Sequence, residues 1–371
     1  MSLVLTQEQE LLQGTIRDFS RDELHPIASK IDSDSKVPEE LMRKLPELGL
    51  YGIVTSAEYG GAGADYASQL LTVEELSKVS GTVGAMISFH GIVCALLNDS
   101  TNEDLRGSIL PKLAAGTLAA FSVDPKSSTS FRKSGEDYVL DGSSEYILNA
   151  GSAGVFLVLA RSKEGANIIV CFLKEDVRNS VVIGEPKKLM GMRGSGTCSV
   201  SLKELKVSRK SIAFDSLQAG AALEKLLILS RLGVAAQALG IGEASLDEEV
   251  KYANERSQFN TKIGQFYAVQ DFIASDEVSI DAARSVTYGV ASHPLSEKFA
   301  WRKSCIAKIA ASNAAVQAAR HSIRIHGGYG FIRDYPVERY LRDARATQIY
   351  LESNEALKAK IAEDMLARPT S

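Results

Sequence analysis

The sequence predicts an α+β protein in three parts: an N-terminal all-α domain over residues 1–117, a β domain over residues 118–214 and a C-terminal four-helix bundle domain over residues 215–371. Three observations predict it. Apolar residues recur at helical spacing in the two outer parts. Alternation with a period of two is confined to the middle part. Gly, Asn, Asp and Ser clusters cut that middle part into short runs. With 371 residues, 45% of them hydrophobic, the chain is long enough to bury more than one core.

The first helix starts at Thr6, a capping residue followed by the acids Glu8 and Glu10, and Leu11, Leu12, Ile16 and Phe19 supply its apolar face. Pro38 suits the first position of the next helix, which stops at Gly49. Gly60, Gly61 and Gly63 form a loop before a further helix, and a simple helix connection explains those glycines by themselves. In the middle part, residues 137–140, 155–160, 168–173 and 198–202 read as strands, with a glycine loop at 191–197 before the last of them. The run LLILSRLGVAAQALGIGEASL has small residues and little charge, so its helix is buried on most sides, as in a bundle that packs against copies of itself.

Bulk properties exclude some functions. Net charge is −4 with no long basic run, so nothing marks a nucleic-acid surface. Cys94, Cys171, Cys198 and Cys305 lie far apart without metal-ligand spacing and read as buried thiols in a reducing cytoplasm. No apolar stretch is expected to reach the length of a membrane span, and MSLVLTQEQE reads as neither a signal nor a transit peptide. A cytoplasmic location without a membrane partner is therefore expected.

The most informative stretch runs from Arg320 to Glu355. Gly327 and Gly328 allow a tight turn and a close approach to a ligand. Tyr335-Pro336 separates two helical patterns, and Arg339, Arg342 and Asp343 fall three or four apart on the second. From the residues alone this is a helix-packing corner that could touch a phosphate.

The same stretch resembles the C-terminal signature of the acyl-CoA dehydrogenase family of flavoproteins, IHGGYGY-x-x-DYPVERYYRDA followed by IYEGTSE. Leu24-His25-Pro26, the turn Glu58-Tyr59-Gly60-Gly61-Ala62-Gly63 and the loop at 191–197 extend the resemblance over essentially the whole chain. In the family Leu24-His25-Pro26 ends the first helix, and the glycine turn lies near the substrate entrance. The resemblance implies FAD as cofactor, an acyl-CoA substrate, an electron-transfer flavoprotein or similar acceptor, and a homotetramer or homodimer. It implies α,β-dehydrogenation: a glutamate in a dry pocket removes the proton α to the thioester, and the β-hydrogen leaves as hydride to FAD.

Carried over residue by residue, Glu255-Arg256-Ser257-Gln258-Phe259 resembles ER-x-x-F, which gives Arg256 and Phe259 to the FAD pyrophosphate and adenine across a subunit interface. Gln270, Gly327, Gly328, Tyr146, Ser122 and Ser353 are the further cofactor positions, and Arg231 and Tyr350 the substrate positions. A surface ion pair of Arg256 with Glu255 or Asp247 is the alternative there. Arg231, in an apolar segment, is equally a structural ion pair.

The departures gather at one place. IYEGTSE becomes Ile349-Tyr350-Leu351-Glu352-Ser353-Asn354-Glu355, so Leu351 stands at the catalytic position, and Ser230 fills the family's second location for the base. Glu352 is the remaining candidate for the base, one residue late, and a one-residue step turns a side chain by about 100° in a helix. The competing reading, which residue chemistry favours, places Glu352 and Glu355 at the positive end of a last helix capped by Ser353 or Asn354. VTEPxAGSD becomes residues 122–130 with Val123 for threonine, and W-I-T-N-G becomes Tyr146-Ile147-Leu148-Asn149-Ala150. Tyr146 can still stack on a flavin, whereas Leu148 cannot donate to N5. Besides dehydrogenation, this leaves a flavoprotein of different chemistry, or a non-catalytic FAD- or acyl-CoA-binding homologue.

Overall fold

The computed structural model describes residues 5–123, 129–293 and 299–367. Helix α1 (Gln7–Phe19) begins with a capping box: Thr6 Oγ1 accepts from the Gln9 N–H at 3.2 Å, and Gln9 Oε1 accepts from the Thr6 N–H at 3.1 Å. The helical path does not end at Leu24-His25-Pro26 as expected. Ser20–Leu24 forms a π-helical turn that runs into α2 (His25–Asp34), and Pro26 follows it directly, so its missing N–H falls where the hydrogen-bond register changes. Pro38 is the N-cap of α3 (Glu39–Glu47) rather than its first residue. Helices α4 (Tyr66–Val79), α5 (Gly81–Leu97) and α6 (Glu103–Ala114) complete this part. α5 is buried along nearly all its length, which explains its lack of a polar face.

The middle part is one eight-stranded sheet. Its strands are β1 (Ala119–Ser122), β2 (Ser130–Ser134), β3 (Asp137–Ile147), β4 (Val155–Arg161), β5 (Asn167–Leu173), β6 (Val181–Ile183), β7 (Cys198–Val207) and β8 (Ile212–Phe214). The order is β6-β7-β3-β2-β4-β5-β8, with β1 parallel to β4. β4 and β5 pair antiparallel from Val155 with Leu173 to Arg161 with Asn167, and both are buried on two faces, hence their continuous apolar runs. The altered run at 122–130 is only partly visible, because residues 124–128 lie outside the described residues.

The C-terminal part comprises α7 (Ala219–Glu255), a hairpin of β9 (Ser257–Gln258) and β10 (Thr261–Lys262), α8 (Tyr267–Ala291), α9 (Ala300–His326), α10 (Val337–Thr347) and α11 (Asn354–Leu366). α7 corrects one expectation: by length and composition it is apolar enough to cross a membrane. Some 89% of its most apolar window is buried inside the protein, where α4, α8 and α9 pack on it.

Two polar ties lock the three parts together. Asn149, at a left-handed φ of 68°, donates from Nδ2 to the Met86 and Ala119 carbonyls at 3.1 Å each. Arg342 forks onto both oxygens of Asp32 at 2.8 and 2.7 Å, onto Glu338 at 2.6 and 2.9 Å, and onto the Met190 carbonyl at 3.0 Å. A Cβ at Gly191 would collide with the Arg342 carbonyl, so only glycine lets this loop approach α10.

Candidate functional site

The sequence-predicted residues fall into three groups. The first lies where α7 and α9 end side by side. Tyr252 stacks on His326 at 4.1 Å, and α9 terminates at Gly327 with φ 58°, a conformation that strains any side chain. The Arg256 guanidinium sits 5.9 Å over the Tyr329 ring. Its partner is not Glu255 or Asp247 but the Gln258 amide, whose oxygen accepts from Nε at 3.3 Å and Nη2 at 2.6 Å. Together Arg256, Gln258, Tyr252, His326, Gly327 and Gly328 line a cleft of about 460 Å³. His326 Nδ1 bonds the Ser322 carbonyl at 2.8 Å, while its Nε2 is buried and without a partner. A forked cation and two glycines suit a phosphorylated ligand, whereas His326, kept neutral by burial and donating from Nδ1, leaves Nε2 as an acceptor.

Phe259 and Gln270 do not line this cleft. Phe259 and Asn260 have φ of 54° and 62°, the two-residue turn that matches strand twist in a hairpin. The hairpin leaves Phe259 90% exposed, 6.4 Å from Phe266, and Gln270 donates to the Gly264 carbonyl at 3.0 Å.

The second group is on the sheet. Ser122 Oγ and Ser144 Oγ share a 2.6 Å hydrogen bond, and Tyr146, two residues further along β3, is 71% exposed with Lys187 Nζ 5.2 Å from its ring centre. Val123 and Leu148 are buried and add only apolar surface. This region can stack on a flat ring but has few donors to aim at one.

The third group is where α5, β1 and the segment before α11 meet. Phe89 stacks on Phe121 at 4.8 Å and lies 5.9 Å from the Tyr350 ring. The Tyr350 hydroxyl donates to Gln237 Oε1, and the Gln237 amide donates to the Gly81 carbonyl at 2.9 Å. Arg231, 3% exposed, donates from Nε to Glu352 Oε2 at 2.7 Å, and its Nη2 is buried without a partner. Lys360 Nζ reaches Glu352 Oε1 at 2.5 Å. Burial alone would raise the Glu352 carboxyl, but the Arg231 hydrogen bond and charge, with those of Lys360, outweigh it and hold the group below the usual carboxylate range. Lys308 donates to the Glu352 carbonyl at 2.7 Å and to Asn354 Oδ1 at 2.8 Å, and burial lowers its ammonium to about 8 against the pull of Glu352. Leu351 has φ 63°, and the Glu352 N–H donates to the Tyr350 carbonyl at 2.9 Å. This is a three-residue turn of the rarer, strained hand.

This geometry differs from what a general base at Glu352 requires. A base poised near neutrality needs a raised pKa and an accessible lone pair, and here both oxygens are held by cations. Ser353 is engaged too: its Oγ accepts from the Ala356 N–H at 3.2 Å as the N-cap of α11. Asn354 is buried one position inside that helix and bonds Lys308 and Ser312. Sequence reasoning missed Lys308 and Gln237, which lie far from Glu352 and Tyr350 in the chain, and Lys360, eight residues after Glu352 at a spacing with no local signal. The one signal was Lys308 in an otherwise apolar helical run, since a buried ammonium needs partners.

Three family models match in order: "Acyl-CoA dehydrogenase, N-terminal domain" over residues 6–117, "middle domain" over 119–205 and "C-terminal domain" over 220–366. The short-chain specific acyl-CoA dehydrogenase of Clostridium acetobutylicum is 34% identical, covering 98% of this chain and 99% of its own. The 3-(aryl)acrylate reductase of Clostridium sporogenes is 32% identical, covering 98% of this chain and 100% of its own. The structure of butyryl-CoA dehydrogenase from Megasphaera elsdenii superposes with a TM-score of 0.93 at 29% identity, covering 99% of this chain and 100% of that one. In sequence and in fold, the chain belongs to the acyl-CoA dehydrogenase family of FAD-dependent oxidoreductases.

Proposed function

We propose that the protein is an acyl-CoA dehydrogenase-type flavoprotein that oxidises the Cα–Cβ bond of an acyl-CoA thioester. The observation that carries this reading is the cleft shared by Arg256, Gly327 and Gly328, which are far apart in sequence. Bound FAD would supply the hydride acceptor. Arg256 would hold its pyrophosphate by forked hydrogen bonds, and the two glycines would let the backbone approach it. Tyr146 would stack on the flavin ring, with Ser122 beside it. Arg231, Tyr350 and the Phe89–Phe121 pair would surround the thioester and exclude water. The exposed Phe259 hairpin beside an open cleft suits a second copy of the chain closing over it, in a homodimer or homotetramer. Electron-transfer flavoprotein is the fitting acceptor, in the cytoplasm.

A second reading is favoured by a specific observation: Glu352 is ion-paired and Leu351 is inert, so the same scaffold would bind FAD and an acyl thioester without abstracting an α-proton. One titration separates the two. The purified protein is loaded with FAD and mixed with saturated acyl-CoAs, and separately, after reduction, with α,β-unsaturated ones. Bleaching of the flavin band by a saturated acyl-CoA establishes dehydrogenation. A flavin band that acyl-CoA perturbs but that neither bleaches nor, once reduced, is reoxidised by the unsaturated thioesters supports the second reading. No flavin band overturns both readings.

A further inference from the structure

Leu351 is held in a strained turn, and the surroundings explain how. On its C-terminal side the Glu352 carboxylate is gripped by Arg231 at 2.7 Å and Lys360 at 2.5 Å, and the Glu352 carbonyl by Lys308 at 2.7 Å. On its N-terminal side the Tyr350 hydroxyl is tied to Gln237, and the Tyr350 N–H to the Ala346 carbonyl at 3.1 Å. Those anchors come from α7, α9, α10 and α11, so the two residues flanking Leu351 are fixed from every side. Leu351 itself remains 41% exposed. A non-glycine residue persists at positive φ only where its surroundings over-determine it, and such strain collects where a side chain is being aimed. Three cations converge on one glutamate to make that happen. Removing the Glu352 charge would leave the Arg231 cation buried without a counter-charge, beside its already orphaned Nη2.

We propose that Glu352 is a positioning residue that clamps the 350–352 turn, so that Leu351 forms an apolar, proton-inert wall of the acyl-thioester site. The inference rests on the reading of that site given above. It selects thioesters whose acyl group is apolar next to the carbonyl, because a polar or charged substituent there would be desolvated against leucine without a partner.

The test uses the FAD-loaded protein and three variants, Glu352→Gln, Leu351→Ala and the double variant. Hydrogen exchange is read for the segment 349–354, and the dissociation constant for butyryl-CoA by calorimetry. Glu352→Gln is expected to speed exchange about tenfold in that segment, with α7 unchanged and FAD retained. Each single variant is expected to weaken butyryl-CoA binding about tenfold, and the double variant no further, because the clamp acts through Leu351. Unchanged exchange in Glu352→Gln overturns the clamp, and weakening that multiplies in the double variant overturns the route through Leu351. Wild-type protein that binds no acyl-CoA overturns the functional reading and the wall with it, while the exchange result still decides the clamp.

Discussion

The Arg256 cleft and the Leu351 turn belong to the same helical domain, yet they relate to the family pattern in opposite ways. The cleft keeps its cation and its two glycines, and the structure gathers them into one concavity with an orphaned His326 nitrogen. The turn keeps Tyr350 and Arg231 but exchanges the carboxylate for leucine and moves a glutamate one residue on, into an ion-pair cage. Holding a pyrophosphate needs donors and room, which tolerate drift in the neighbours. Removing a proton needs one atom at one place, and a one-residue step defeats it. On the proposed reading of the two sites, binding and reaction are separable in this chain.

The largest effect that sharpens this contrast is expected from Leu351→Glu. Glutamate bears no more strain at φ 63° than leucine, and Arg231 is already engaged by Glu352. Bleaching of bound FAD by a saturated acyl-CoA should accelerate about 10²–10⁴-fold, the usual contribution of a placed general base. Stopped-flow absorbance checks it, and no acceleration would mean that the turn, and not the missing carboxylate alone, sets the limit. Arg256→Ala comes next. Losing a charge-assisted fork should weaken FAD binding about 10–100-fold while leaving the fold intact, measured by flavin fluorescence on release. Full retention would take Arg256 out of the cofactor site.

The α+β order was legible because period and composition change together near residues 118 and 215. The Thr6 cap was legible from four residues. The continuation of α1 into α2 was not, because Pro26 reads as a breaker unless one knows that it follows a π-helical turn. The burial of α7 was legible from its small residues and scarce charge, whereas its span-like length was not, because its apolar run reads as shorter until the whole helix is seen. At the site, the motifs named Arg256, Gly327 and Gly328, and the chain brings them together. What decides the state of Glu352 is two cations, 121 residues before it and eight after it, at spacings that carry no local signal.

Away from both regions, the bundle holds a feature that tests whether the scaffold between them is tuned for stability. Glu249 is fully buried beside Asp276, whose oxygens accept from Gln317 and His321 at 2.8 Å each. Burial, reinforced by the Asp276 charge, raises the Glu249 carboxyl to about 9 from its ordinary 4.5. Between those two pH values the unfolded chain has released a proton that the folded chain keeps, so stability falls as pH rises through that window and levels off above it. Glu249→Gln keeps the shape without titrating. It should raise Tm at pH 8 by ~3 °C and change it by under ~1 °C at pH 4.5, read by calorimetry. An equal change at both pH values would mean that Glu249 does not keep its proton in the folded chain.

The smallest effect belongs to Ser353, and it marks where the altered end begins. Its hydroxyl is spent on the Ala356 N–H, so Ser353→Ala should cost about 1 kcal/mol and Ser353→Asp should restore it, because aspartate caps as well and suits the helix dipole. A cofactor contact predicts the reverse order: an aspartate aimed at a phosphate would repel it, and FAD affinity would fall further in Ser353→Asp than in Ser353→Ala. Chemical denaturation and FAD titration on the same two variants therefore give opposite rankings under the two roles. Stability rescued by aspartate with FAD affinity unchanged would assign Ser353 to the helix alone, and leave the cleft at Arg256 as the part of the family pattern that this chain keeps for its cofactor.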